Sequence, residues 1–204
     1  WRSGTGKWPA YYPDNLPATV DIGPGCPTGV AFGTGAKFPA KYQRSLFICD
    51  WSYGIIYAVD MQQDGGGYKG VAERFCSAPA LQGTDISIGP DGAMYFTIGG
   101  RRTQSGLYRV TYTGNESTDP IKRQPLNKVA KLRREIEKFH KKAGPQAIKI
   151  AMQHLGHSDR FVRYAARIAL EHQPVKQWGP SVLSQTDPLA LINGIVAFAR
   201  NAAS

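Results

Sequence analysis

Up to residue 113 the apolar positions come in short runs separated by glycine, proline and polar turns; beyond residue 125 they recur every third or fourth place. The first pattern is that of strands, the second that of amphipathic helices. Alternation predicts strands at Met94–Ile98 and Leu107–Tyr112, where Tyr, Thr and Val favour a pleated, half-buried backbone. Gly89-Pro90-Asp91-Gly92 predicts a tight turn, with Pro and Asp in turn positions and Gly where positive φ is needed. Gly65-Gly66-Gly67 is expected to mark the passage between successive strand units. In the second half, Leu126, Val129, Leu132, Ile136 and Phe139 form one stripe, and Ile148, Ala151, Met152 and Leu155 another. Ser158 and Asp159 can cap a helix whose buried face is Val162, Ala165, Ala166, Ala169 and Leu170. A last helix follows Asp187-Pro188. Short helices joined by tight turns predict an α-solenoid of paired helices.

The strand half contains an internal similarity. Pro27–Phe32, Ser45–Trp51 and Gly54–Val59 are matched by Gly83–Ile88, Ala93–Ile98 and Ser105–Val110, each set ending on Ile/Leu-Tyr-x-Val or a close variant. Similarity at such a period, with several short strands per unit, predicts β-propeller blades. Two blades leave open strand edges, so further blades are expected upstream or from another chain. The expected organisation is an irregular Gly/Pro/aromatic segment at 1–25 (Trp1, Trp8, Tyr11, Tyr12), blades at 26–113, a linker at 114–125 and helices at 126–204.

Composition and local motifs adjust this picture. The formal net charge of +10 is concentrated between Lys122 and Lys149, where ten Lys/Arg face only Glu135 and Glu137. Such a stretch is a solvated face, a docking surface for an acidic protein or polysaccharide, or, least in keeping with its few aromatics, a nucleic-acid surface. The three cysteines, Cys26, Cys49 and Cys76, lack CxxC spacing, which excludes a zinc knuckle or a c-type haem attachment. Cys49 reads as a buried small hydrophobe, whereas Cys26 and Cys76 are either free or bridged. Asn115-Glu116-Ser117 matches the N-glycosylation triplet, a pattern too common to use alone. No apolar run reaches membrane-spanning length. The opening Trp1-Arg2-Ser3-Gly4 has no initiator Met and no secretory leader, and reads as the interior of a longer chain.

Phe38–Tyr42, Leu46–Gly54 and the Asp85–Gly92 turn leading into Ala93–Val110 resemble a family of large planctomycete-type haem-binding proteins. Asp159–Leu170 is similar to the HEAT helix pattern of the same proteins. The resemblance implies a propeller akin to glucose and sorbosone dehydrogenases, HEAT-like helices, and a c-type cytochrome domain outside this segment. It further implies an extracytoplasmic, periplasmic or secreted, oxidoreductase acting on a sugar or alcohol and passing electrons to that haem. Ile88–Asp91 through Ile98-Gly99-Gly100-Arg101-Arg102-Thr103-Gln104 is similar to the loop that binds pyrroloquinoline quinone in soluble quinoprotein dehydrogenases. Arg101, Arg102 and Gln104 are the cofactor-contacting residues so implied, since guanidinium groups suit a polycarboxylate. The family's catalytic histidine falls at Leu81 here, and no histidine precedes His140.

The residues themselves leave alternatives. Arg101 and Arg102 either grip an anion or are charges on a solvated turn. Asp50 and Trp51 either offer a carboxylate and a stacking platform for substrate or pack neighbouring strands. Asp85 and Asp91 read as turn formers. His154 and His157 straddle Gly156 rather than sharing a helical face, so no metal site is expected. The chain is therefore expected to be part of a dehydrogenase-like oxidoreductase or, alternatively, a non-catalytic scaffold that binds carbohydrate or a partner protein.

Overall fold

The computed structural model describes residues 11–13, 15–141 and 144–202. Trp1, Trp8 and Lys142 lie outside the described residues. The chain divides into two compact units, one of Thr19–Gln62 with Lys69–Gln124, the other of Trp1–Ala18, Gln63–Tyr68 and Pro125–Ser204.

The first unit carries the strands. β1 (Pro27–Phe32), β2 (Leu46–Asp50), β3 (Ile55–Asp64) and β4 (Gly67–Ser77) form a sheet in that order. β5 (Gly83–Ile88), β6 (Met94–Gly100) and β7 (Thr103–Val110) form a second, also in chain order. A short helix, α1 (Ala40–Arg44), connects β1 to β2. β2 pairs antiparallel with both its neighbours. Its Phe47, Ile48, Cys49 and Asp50 are all buried, as a short apolar run between two strands should be. Phe47, Cys49, Ile56, Leu81, Ile86, Met94 and Phe96 make one core. Phe75 of β4 adds edge-on aromatic contacts to Phe47 and Tyr42, at 5.0 and 5.2 Å between centroids. The two sheets meet where β1 lies against β5. Thr28 donates its hydroxyl to the Gly83 carbonyl (2.6 Å), and a Cβ at Gly29 would stand 2.5 Å from the Cα of Asp85. Only glycine admits that approach.

The second unit contains α2 (Lys128–Glu137), α3 (Pro145–His154), α4 (Arg160–Glu171), a 3-10 turn at Val175–Gln177, α5 (Gly179–Leu183) and α6 (Pro188–Ala202). Ile136, Ala151, Leu155, Val162, Ala166, Leu170, Trp178 and Ala197 form its core. The strand-hairpin tip at 63–68 belongs to this unit and is bonded to two helix starts. Asn127 caps α2 by accepting from Ala130 N–H (2.8 Å) while its amide donates to the Gly65 carbonyl (2.9 Å). Asp159 caps α4 by accepting from Val162 N–H (3.0 Å), and its other oxygen accepts from Gly66 N–H (2.9 Å).

This architecture corrects the expected partial propeller of two blades followed by a HEAT-like solenoid. The strands divide into open sheets of four and three rather than two equal units, and among the described residues they close into no ring. The difference begins at Gly65–Gly67. That glycine run is a turn inside a hairpin, not a passage between units, and it leads into β4, an 11-residue strand. Lys69, Glu73 and Arg74 interrupt the apolar signal of β4. The helices of the second unit have 10, 10, 12, 5 and 15 residues, repeat no helix pair and share one core.

Candidate functional site

The β6–β7 connection is the least ordinary backbone in the strand unit. Gly100 pairs with Thr103, leaving Arg101 and Arg102 as a two-residue turn. Both have positive φ, 47° and 71°, and they are the non-glycine residues of the described chain that do. A two-residue hairpin turn follows the twist of its strands when both central residues are left-handed, and Asn-Gly usually supplies that. Two arginines hold it here at a steric cost. Gly99 and Gly100, with φ of 156° and 106°, lead into it.

Trp51, nearly fifty residues earlier, is brought to this turn. It follows β2 directly, and its indole N–H donates to the Gly99 carbonyl at 2.8 Å. Its backbone N–H donates to the Cys26 carbonyl (3.0 Å). The Arg101 guanidinium lies over the indole ring, 5.5 Å from the centroid. The indole is thus fixed at its edge and covered on a face by a cation.

Asp50 is not exposed to a ligand. It is fully buried, and its Oδ1 accepts from the backbone N–H groups of Cys26 (2.9 Å) and Ser52 (3.0 Å). Its Oδ2 is buried with no hydrogen-bond partner among the described residues. Those two bonds brace the segment that carries Trp51. Arg102 and Gln104 are exposed, and neither makes a side-chain hydrogen bond among the described residues. Of the sequence candidates, the structure joins Trp51 with Arg101, sets Asp50 behind them, and leaves Gln104 unjoined to either.

The turn at Gly89–Gly92 forms as expected, with Gly92 N–H donating to the Gly89 carbonyl at 2.9 Å. Its Asp91 does more than shape it. Asp91 Oδ1 accepts from Ala93 N–H, while Oδ2 accepts from the Tyr95 hydroxyl (2.9 Å) and Arg109 (2.8 Å). The Arg109 guanidinium, with those N–H and hydroxyl donors, holds the Asp91 carboxyl down at about 2. Arg109 sits opposite Tyr95 across the β6–β7 ladder, a register that the sequence did not single out.

All three cysteines are free thiols: Cys26 exposed, Cys49 buried, Cys76 between. Burial, aided by the Asp85 charge, pushes the Cys49 thiol up to about 11. Burial and the neighbouring His157 lower the basicity of His154. Among the described residues no group of three His, Cys, Asp or Glu side chains is placed to hold a metal. No described helix is long and apolar enough to cross a membrane.

No family model matches this sequence, and no curated protein does. A solved structure from Thermus thermophilus, described as a candidate oxidoreductase (glucose dehydrogenase), is similar at 16% identity and a TM-score of 0.38. The similarity covers 48% of this chain and 29% of that one. It is weak and coarse, and it bears on neither haem nor electron transfer.

Proposed function

We propose that the strand unit is the ligand-holding part of a dehydrogenase-type oxidoreductase that acts on a sugar or related alcohol, with Trp51 and Arg101 as its grip. One observation carries this: two arginines occupy left-handed backbone beside an indole that is hydrogen-bonded in place. Such a turn is retained against its steric cost where the side chains are needed. The sequence resemblance at residues 88–104 supports the same class of protein. The unit has no histidine, and the role proposed for it is to hold a molecule.

Pyrroloquinoline quinone fits the donor chemistry here. Arg101 and Arg102 would take its carboxylates and Trp51 its ring plane, with Gln104 further along β7 as a lesser donor. When bound, that quinone supplies a two-electron acceptor for alcohol oxidation. In the parent protein the electrons would pass to a c-type haem carried elsewhere, in an extracytoplasmic setting. Lys128, Lys131 and Lys149, exposed on the helical unit, would meet an acidic protein or polysaccharide, whereas Arg133, Arg134 and Lys138 are already paired with Glu137 and Glu135.

The test is titration of the full chain with pyrroloquinoline quinone, followed by its absorbance, and with neutral and acidic sugars, followed by calorimetry. Saturable quinone binding that is lost in Arg101→Ala and weakened in Arg102→Ala supports the oxidoreductase. Saturable sugar binding without quinone binding points instead to the non-catalytic carbohydrate scaffold. Binding of neither removes the ligand-holding role.

A further inference from the structure

We propose that Arg101 is a displaceable cap on Trp51, and that it makes this site selective for carboxylated sugars, uronates, over neutral ones. This rests on the ligand-holding role above and names its ligand class; a quinone stacked on Trp51 would compete with the sugar for the same face.

The indole cannot turn away to admit a ligand. Its N–H is bonded to Gly99, its backbone N–H to Cys26, and Asp50 braces the following peptide by accepting from Ser52 N–H. What can move is Arg101, which is exposed and rests on the ring through a cation–π contact alone. A sugar that stacks its C–H face on that covered side of Trp51 must therefore lift the guanidinium off.

The rest of the unit shows how this chain treats its other cations. Arg109 is paired with Asp91 and Lys41 with Glu73. Arg101 and Arg102 have no carboxylate partner among the described residues. Asp50, beside Trp51 in the chain, is buried and engaged by backbone N–H groups on one oxygen. Two cations are thus held at a strained turn without neutralisation, beside an aromatic face. A neutral sugar displaces Arg101 and offers it only uncharged hydroxyl oxygens, weaker acceptors than a carboxylate. A uronate displaces it and offers a carboxylate in exchange, a charge-assisted, bidentate partner. The cap thereby penalises neutral rings and favours acidic ones.

The measurement is the indole N–H resonance of Trp51 in the full chain, identified by its loss in Trp51→Phe, during titration with glucuronate, glucose and acetate. Glucuronate is expected to shift it saturably, with glucose weaker by about ten- to hundredfold, the span of a hydrogen bond to a charged group. In Arg101→Met, which keeps an aliphatic cover without charge, glucuronate should lose about that factor. Glucose should tighten about two- to fivefold as the cation–π contact disappears. Equal affinity for glucose and glucuronate overturns the inference, as does an unchanged preference in Arg101→Met. Acetate binding as tightly as glucuronate also overturns it, since an anion alone would then suffice. If neither sugar moves the Trp51 resonance while pyrroloquinoline quinone binds, this inference fails and the ligand-holding role stands.

Discussion

Replacing Arg101-Arg102 with Asn-Gly should make the strand unit more stable and abolish the binding proposed for Trp51. Both arginines sit at positive φ, 47° and 71°. Left-handed backbone costs an ordinary L-residue roughly 1–2 kcal/mol, whereas Asn tolerates it and Gly is indifferent to it. Against a relief of about 2–4 kcal/mol for two residues stand two losses. The greater freedom of Gly in the unfolded chain returns about 0.5–1 kcal/mol, and the lost Arg101–Trp51 contact another 0.5–1 or so. A net gain of about 1–2 kcal/mol remains, or roughly a five- to thirtyfold shift in an opening equilibrium. Amide hydrogen exchange along the β6–β7 ladder reads this locally, at Ile98 and Gly106, without assuming that both units unfold together. Exchange should slow by that factor while binding at Trp51 is lost. If exchange quickens instead, the arginine side chains hold the turn together, and the inference from strain to function collapses.

Two further outcomes follow from the electrostatics. Asp91 titrates at about 2 in the folded chain against an ordinary 3.8, so its partnership with Arg109 and Tyr95 contributes fully above pH 3.8 and is lost as pH falls through about 2. The Tyr95 ring resonances should follow that acid titration, and in Asp91→Asn the titration should vanish; a midpoint near 4 would refute the assigned contacts. Cys49, with its thiol raised to about 11, should resist a disulfide reagent at pH 8 in the native chain while exposed Cys26 reacts promptly. Mass analysis of the labelled peptides checks this, and prompt native-state labelling of Cys49 would contradict its burial.

Local chemistry was readable in the sequence wherever a residue acts on its near neighbours. The Gly89–Gly92 turn, the strand within Met94–Gly100 and the Asp159 cap on α4 each depend on contacts within a few positions. Architecture was not readable. The similarity between the two strand sets suggested equal blades, but β4 mixes exposed Lys69, Val71 and Arg74 with half-buried Ala72, Phe75 and Cys76 and so escaped notice. Of the candidate site, Arg101, Arg102 and Trp51 were singled out separately. Their convergence depends on Trp51 reaching the Gly99 carbonyl, a pairing that no periodicity encodes. For Asp50 the sequence left a ligand-facing and a packing role side by side, since a carboxylate that serves buried backbone amides looks, in sequence, like one that serves a ligand.

The hexapeptide at 63–68 makes chain order and spatial order disagree. Gln63 receives the Asn127 amide proton on its side-chain oxygen and donates to the Pro125 carbonyl, so both ends of its carboxamide serve a segment sixty residues away. The helical unit therefore cannot be excised as one uninterrupted stretch of polypeptide. A product cut at residue 125 would begin its first helix, and later its α4, without the backbone partners that an earlier part of the gene provides. Any shuffling or splitting of this sequence between partners would have to carry that small loop along.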